Sequence, residues 1–317
     1  MKILFYGTPD FAVASLKALI DAKKNVIGVV TAPDKPAGRG YQLKQSAVKE
    51  YALENNIPVF QPTNLKSEEF QKTLSQLQPD LQIVVAFRML PESVWSFPKL
   101  GTFNLHGSLL PSYRGAAPIN WAIINGEQKT GVTTFFLVHE IDTGSIILQQ
   151  DLTIGKNETA GEIHDKLMEV GANLVVKTVA QIENGDVSVI SQEELINKGN
   201  KLCHAPKLNK QLCKLKPEEQ VQNLHNKIRG LSPFPGSFFK VLYQGKSKIF
   251  KIYRSNIINN AGNSAPDFYS KDDQLFFQNS SGTLHLREVQ IEGKKRMKDS
   301  EFLKGINLDE LKPSAYE

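Results

Sequence analysis

The 317-residue chain holds only two cysteines, Cys203 and Cys213. Two thiols in a chain this long make no disulfide framework, and no CxxC pair offers a zinc site. They read as reduced thiols of a cytosolic protein. Long hydrophobic runs are missing as well. Stretches such as Asn25–Val30 and Ile83–Phe87 fall far short of the ~18 apolar residues of a membrane span, so no contact with a membrane is expected. The opening MKILFYG lacks the extended apolar core and small-residue cleavage site of a secretory signal, which points to the cytoplasm. No internal repeat or low-complexity tract stands out. The GxGxxG fingerprint is absent too: one glycine and then a proline follow the first strand, in Gly7-Thr8-Pro9-Asp10. A nicotinamide-dependent oxidoreductase is therefore disfavoured, and a tight strand-to-helix turn fits better, with Thr8 as cap and Pro9 in the first helical position.

What charge there is lies unevenly. From Lys207 onward 19 Lys and Arg face 12 Asp and Glu, whereas residues 1–206 hold 19 and 21. Such asymmetry suits a polyanion contacted by the C-terminal part, or a solvated basic face.

Residues 1–190 alternate short apolar strands with helical patterns. Strands are expected at Lys2–Tyr6, Asn25–Thr31, Pro58–Phe60, Leu81–Phe87, Gly101–His106, Val132–Leu137 and Ser145–Leu152. Helices are expected near 10–20, 46–54 and 67–76. Thr159-Ala160-Gly161-Glu162 is a capping box that opens another, running to about Ile182. This alternation predicts an α/β domain with a doubly wound, mainly parallel sheet. The rhythm changes near 190. Residues 191–212 are polar and read as a linker. A helix over Pro217–Arg229 ends at Gly230–Gly236. Short strands follow at Ser237–Tyr243, Lys248–Arg254, Leu275–Gln278 and Thr283–Gln290, the pattern of a small β-barrel over 213–317.

Four places could carry chemistry. Asn104 and His106 are two apart on a strand and so share a face. Ligands of open α/β sheets bind beyond the carboxyl ends of strands, where an amide N–H and an imidazole could hold an oxyanion. His106 could equally be a satisfied structural residue. Gly107 and Ser108–Pro111 follow, and their backbone could meet a flat ligand. Asp142, in Ile141-Asp142-Thr143-Gly144, is expected in a loop at the same edge, where a carboxylate would orient His106 and favour its charged form. A plain turn is the alternative. The long loop Ala32–Lys44 carries Lys35, Arg39 and Lys44, either for phosphate or as a solvated segment.

Together these pieces resemble the 10-formyltetrahydrofolate-dependent formyltransferases. The carriers are GTPDF at Gly7–Phe11, FNLHGSLLPSYRGAAPI at Phe103–Ile119 and IDTG at Ile141–Gly144. PDKPAGRG at Pro33–Gly40, IRGLSPFPG at Ile228–Gly236 and EGKKRM at Glu292–Met297 point to the tRNA-directed branch. The resemblance implies a formyltransferase fold followed by an OB-like barrel that binds tRNA. It implies formyl transfer from 10-formyltetrahydrofolate, a cosubstrate, to the α-amine of methionine on initiator tRNA, with no metal, by a monomer. Asn104, His106 and Asp142 match the catalytic trio. Ser108, Leu109, Leu110 and Pro111 match the folate-contacting loop, and Phe87, Arg88, Met89 and Leu90 lie where the family lines its pterin pocket. Arg39, with Lys35 and Lys44, matches the basic loop that reaches the tRNA acceptor end. Phe87-Arg88 stands where many members carry Tyr-Gly, and Leu215-Lys216-Pro217 where many carry Ile-Asp-Trp. A formyltransferase acting on glycinamide ribonucleotide would leave the basic second part without a task. A non-catalytic RNA-binding protein would leave the trio without one.

Overall fold

The computed structural model describes residues 1–37, 42–259, 261–262 and 264–313. Arg39 lies outside the described residues. In the first half the order is β1 (Ile3–Gly7), α1 (Asp10–Asp21), β2 (Val26–Val30), β3 (Lys35–Ala37), β4 (Gln42–Lys44), α2 (Ala47–Glu54), β5 (Val59–Phe60), α3 (Glu68–Leu77), β6 (Leu81–Val85), α4 (Glu92–Trp95) and β7 (Thr102–His106). There follow β8 (Arg114–Gly115), α5 (Pro118–Ile124), β9 (Lys129–Phe136), β10 (Ile146–Thr153), α6 (Ala160–Asn184), α7 (Gln192–Asn197) and β11 (His204–Ala205). The second half has α8 (Val221–Gly230), β12 (Ser237–Tyr243), β13 (Lys246–Asn259), β14 (Asp267–Lys271), β15 (Gln274–Asn279), β16 (Gly282–Ile291), β17 (Met297–Lys298), α9 (Asp299–Leu303) and β18 (Leu311–Pro313).

Two compact units emerge. One comprises Met1–Gly115, Gly131–Leu152 and His164–His204; the other comprises Ala116–Thr130, Thr153–Ile163 and Ala205–Glu317. In the first, a seven-stranded sheet runs β10-β9-β7-β6-β1-β2-β5. Its strands from β7 to β5 are parallel, and β9 lies antiparallel to β7. The parallel strands need no alternation of polarity because both faces are covered; β1 and β6 are buried at every position.

Helix α1 buries Phe11, Ala12, Ser15, Leu16 and Leu19, a stripe at helical spacing. Gly7 permits this packing, since a Cβ there would sit 2.5 Å from that of Ala12. Thr8, expected to cap α1, does not: Pro9 holds the cap position without a side-chain bond, and the helix begins at Asp10. The Asp10 carboxylate suits the positive helix end instead.

The second unit is built on an antiparallel sheet, β14-β15-β16-β13-β12-β18, with β17 added to β16. It curls into a nearly closed barrel, its first and last strands coming into contact. Phe239, Phe250, Phe268, Phe277 and Phe302 fill it, joined by Val221, Leu224 and Ile228 of α8. Strand β12 coincides with the expected Ser237–Tyr243. Strand β14 was not anticipated, because Asp267, Ser270 and Lys271 surround Phe268 and Tyr269 with turn-like polarity.

The capping box is present. Thr159 N–H donates to Glu162 at 2.9 Å, and Glu162 N–H returns to Thr159 Oγ1 at 3.3 Å. Arg254 adds a 2.8 Å bond to Glu162. Burial raises the Glu162 pKa, but the bonds from Arg254 and Thr159 outweigh it and hold the group at about 2. A depressed carboxylate contributes stability above its unfolded value, and that contribution is lost as pH falls through the folded value. Urea unfolding of the wild type and Glu162→Gln should therefore differ at pH 7 and converge as pH drops from 4.5 towards 2. A gap that stays constant over that range would contradict the assignment.

Candidate active site

Register brings a row of side chains across one face of the first sheet. Asn104 pairs with Phe135 on one side and Val84 on the other, and the row continues through Tyr6, Val30 and Phe60. His106, two residues on, shares the face with Asn104. Asn104 is half-buried, and among the described residues its side-chain amide has no hydrogen-bond partner. A strand residue that leaves its amide open at this edge is available to a ligand.

His106 is buried. Its Nε2 lies 2.9 Å from the carbonyl oxygen of Tyr113, and its Nδ1 lies 3.9 Å from Asp142 Oδ2. A carbonyl only accepts, so Nε2 carries the proton and Nδ1 is the nitrogen that faces the carboxylate.

Asp142 reaches this point by an unexpected route. The sequence reading put its loop at the carboxyl edge of the sheet as a direct continuation of the strand. Strand β9 is antiparallel, however, and its end at Phe136 stands opposite Phe103, near the start of β7. The strand thus ends at the opposite edge, and the loop after it must return to bring Asp142 to His106. Three contacts fix that return. Gly115 N–H donates to Asp142 Oδ2 at 3.0 Å. Gln192 Nε2 donates to the carbonyls of Asp142 and Gly144 at 2.9 and 2.8 Å. Gly144 leaves no room for a side chain, since a Cβ would lie within 2 Å of the Phe136 carbonyl oxygen (1.7 Å). Asp142 itself has a φ of 56°, a left-handed conformation that non-glycine residues adopt rarely and mostly as Asn or Asp.

Gln192 is buried and was not singled out from the sequence. It sits in the stretch read as a linker. Its Oε1 accepts from Arg114 Nε at 3.0 Å and Nη2 at 2.7 Å. Lys201 and Cys203, from the same stretch, accept through their carbonyls from Ser112 Oγ and from Tyr113 N–H. Residues 191–204 thus brace the loop that carries the His106 partner. The polar, Lys- and Asn-rich composition gave no hint of it, because the bracing is done by one buried amide and by backbone groups. Arg114 is pulled down from its ordinary pKa by burial, against the opposing carboxylates of Asp142 and Glu140.

Beyond the ends of β6, β1, β2 and β5 lies a cavity of about 340 Å³ lined by Thr8, Ala32, Pro33, Lys35, Thr63, Phe87 and Arg88. That is within the range of small-molecule sites. Phe87 sits edge-on against Tyr6 at 5.7 Å. Among the described residues the buried Tyr6 hydroxyl has no partner, and burial pushes its pKa up. Arg88 donates to the carbonyls of Pro62 and Thr63. Its guanidinium also lies over the Phe87 ring at 5.6 Å, and with Lys35 it makes the wall cationic.

Of the eight residues expected to touch folate, Phe87 and Arg88 line this cavity. Met89 is exposed, and Leu90 is buried with Tyr6, Phe70, Leu74 and Val94. The loop Ser108–Pro111 turns inward more than expected. Leu110 packs on Phe135 and Ile146, and its N–H donates to Thr133 Oγ1 at 3.1 Å. The carbonyls of Ser108 and Leu110 accept from Thr133 and Gln149. The side chains of Thr133 and Gln149 thus satisfy the buried polarity of these backbone groups, which leaves half-buried Leu109 as the loop's most accessible member. Lys35 belongs to the cavity wall, and Lys44 is exposed. Among the described residues no group of three or more His, Cys, Asp or Glu could hold a metal ion, and no helix is long and apolar enough to cross a membrane.

Two family models match the chain: "Formyl transferase" over residues 1–179 and "Formyl transferase, C-terminal domain" over 207–307. This chain belongs to the formyltransferase family. Methionyl-tRNA formyltransferase of Bacteroides fragilis is 47% identical over 313 residues, covering 98% of this chain and 96% of its own. That of Flavobacterium johnsoniae is 48% identical and covers 98% of each. Among solved structures, the sugar 3N-formyltransferase WlaRD, determined in the presence of dTDP and 5-N-formyl-THF, matches with a TM-score of 0.67 at 22% identity, over 93% of this chain and 99% of its own. HypX from Aquifex aeolicus in complex with tetrahydrofolic acid gives 0.64 at 18% identity, over 96% of this chain and 48% of its own. At those identities the likeness is one of fold. It spans nearly all of this formyltransferase chain, as expected from the motifs at both ends.

Proposed function

We propose that this chain transfers the formyl group of 10-formyltetrahydrofolate to the α-amine of methionine on initiator methionyl-tRNA, as a monomer in the cytoplasm. The observation that carries this reading is the likeness, at nearly half identity, to methionyl-tRNA formyltransferases over both halves of the chain. Residues 1–190 carry the chemistry, 213–317 bind tRNA, and the stretch between braces the loop at 108–113.

Formyl-folate supplies the one-carbon unit, whose carbonyl oxygen gains negative charge as the amine attacks. The open Asn104 amide donates to that oxygen. His106, with Nε2–H committed to the Tyr113 carbonyl, donates from Nδ1 when charged. Fixed donors aimed at developing charge in a water-poor site contribute most of such a rate enhancement. Asp142 accepts the proton that the attacking ammonium must shed; as the tetrahedral adduct collapses, the bond from the formyl carbon to the folate N10 breaks and that nitrogen takes up a proton, leaving tetrahydrofolate. The folate ring rests against Phe87 in the cavity, and Lys35 and Arg88 meet its anionic tail. Arg39 and Lys44 then serve the tRNA acceptor end.

Incubation with 10-formyltetrahydrofolate and charged initiator tRNA tests the proposal, and formyl-methionyl-tRNA is the expected product. Formylation of free glycinamide ribonucleotide, or of nothing, would overturn it.

Gln192 supplies a second test. Gln192→Ala removes two of the three bonds that fix the Asp142 loop and should lower kcat roughly 10- to 100-fold, the scale of a misplacement of about 1 Å. The KM for folate should stay near its wild-type value, because Gln192 does not line the cavity. A loss confined to KM would contradict this.

A further inference from the structure

One exposed ring in the second unit has no part in the chemistry above. Phe234 is 83% exposed, more than any other large apolar side chain among the described residues. Its surroundings are pinned. Leu231 is fully buried beside Cys213 and Phe238. The Ser232 carbonyl accepts Gly161 N–H at 3.0 Å, and Pro233 packs so closely that a Cβ on Gly161 would lie 2.6 Å from its Cδ. Gly236 N–H closes the turn on the Leu231 carbonyl at 2.8 Å. The rings of Pro233 and Pro235 also fix φ on either side of Phe234. A side chain on so firm a turn loses little freedom when it binds something.

Cations stand next to it. Lys251 Nζ donates to the Pro235 carbonyl at 3.1 Å, and among the described residues it has no carboxylate partner. Gly236 rests on the Tyr253 ring, over which the Arg296 guanidinium lies at 4.1 Å. Arg296 is already neutralised by Glu288, at 2.6 and 2.7 Å, so Lys251 holds the uncompensated charge.

A lone exposed phenylalanine is ordinary. A rigid one beside an unneutralised ammonium has the composition of a nucleotide contact, with a ring for a base and a cation for its phosphate. We propose that Phe234 stacks on an unpaired base of the tRNA substrate while Lys251 takes an adjacent phosphate oxygen. The proposal rests on the tRNA-formylation reading and names a contact for it.

Wild type, Phe234→Ala, Phe234→Trp and Lys251→Ala should be compared in formylation with methionyl-tRNA titrated. Filter binding of the same tRNA and of a blunt RNA duplex accompanies this, with fluorescence titration of folate. Phe234→Ala should raise KM and Kd for the tRNA about 5- to 150-fold, the range for loss of one stacked base. Its kcat at saturation, its folate affinity and its duplex binding should stay at wild-type values. Phe234→Trp should restore tRNA affinity, and Lys251→Ala should reduce the salt slope by about 1. An unchanged tRNA affinity in Phe234→Ala, as a protein or lipid partner would give, overturns the proposal. So does an equal loss on the duplex, or a tryptophan variant as weak as alanine. If wild type makes no formyl-methionyl-tRNA, the activity reading fails, and filter binding still decides the role of Phe234.

Discussion

His106→Ala lowers kcat by roughly 10²–10⁴, the span for loss of a positioned acid–base group. The expected size follows from where the ring is tied. Nε2 is fixed at 2.9 Å from the Tyr113 carbonyl and Nδ1 stands 3.9 Å from Asp142. The ring is therefore held in one orientation before substrate arrives, and no reorganisation is needed during reaction. The variant also removes the hydrogen bond that His106 gives the Tyr113 carbonyl, a net loss of about 0.5–1.5 kcal/mol. His106→Gln keeps a side-chain N–H for that carbonyl and separates the two effects. It should recover most of the stability in urea titrations and little of the turnover. Near-native turnover in a folded alanine variant would remove His106 from the chemistry.

Asn104→Ala lowers kcat by roughly 10²–10³, the usual loss for one oxyanion donor. This substitution is the cleaner of the two. The amide has no partner among the described residues, so its removal strands nothing, and thermal stability should barely move. Asn104→Asp sharpens the test. It keeps the shape but sets a carboxylate where the reacting oxygen turns negative, and its kcat should fall at least as far. If Asn104→Ala raises the KM for folate and leaves kcat alone, the amide only binds the donor and does not stabilise charge.

Much of the site was legible before any coordinates. Asn104 and His106 share a face because a strand repeats every two residues, and the apolar run before them had to be a central strand. The 7–11 turn, the Thr159 capping box and β12 follow from local chemistry and came out close to expectation. The error over Thr8 was of one position, as is common at helix ends.

Other features depended on parts of the chain that local patterns do not connect. That β9 runs antiparallel is invisible in a stretch such as KTGVTTFF, which would be equally at home in either direction. The return of the Asp142 loop, and the need for Gln192 to hold it, follow from that direction. The inward turn of Ser108–Pro111 depends on Thr133 and Gln149, which neighbour it only across the sheet.

Sequence by itself determined the face that Asn104 and His106 share, because a strand repeats every two residues, and its motifs carried the resemblance to the family. Tertiary structure decided which His106 nitrogen faces Asp142, how Asp142 arrives and what braces it. Those depend on partners such as Tyr113, Gly115 and Gln192, whose contacts form only when distant segments close on one another.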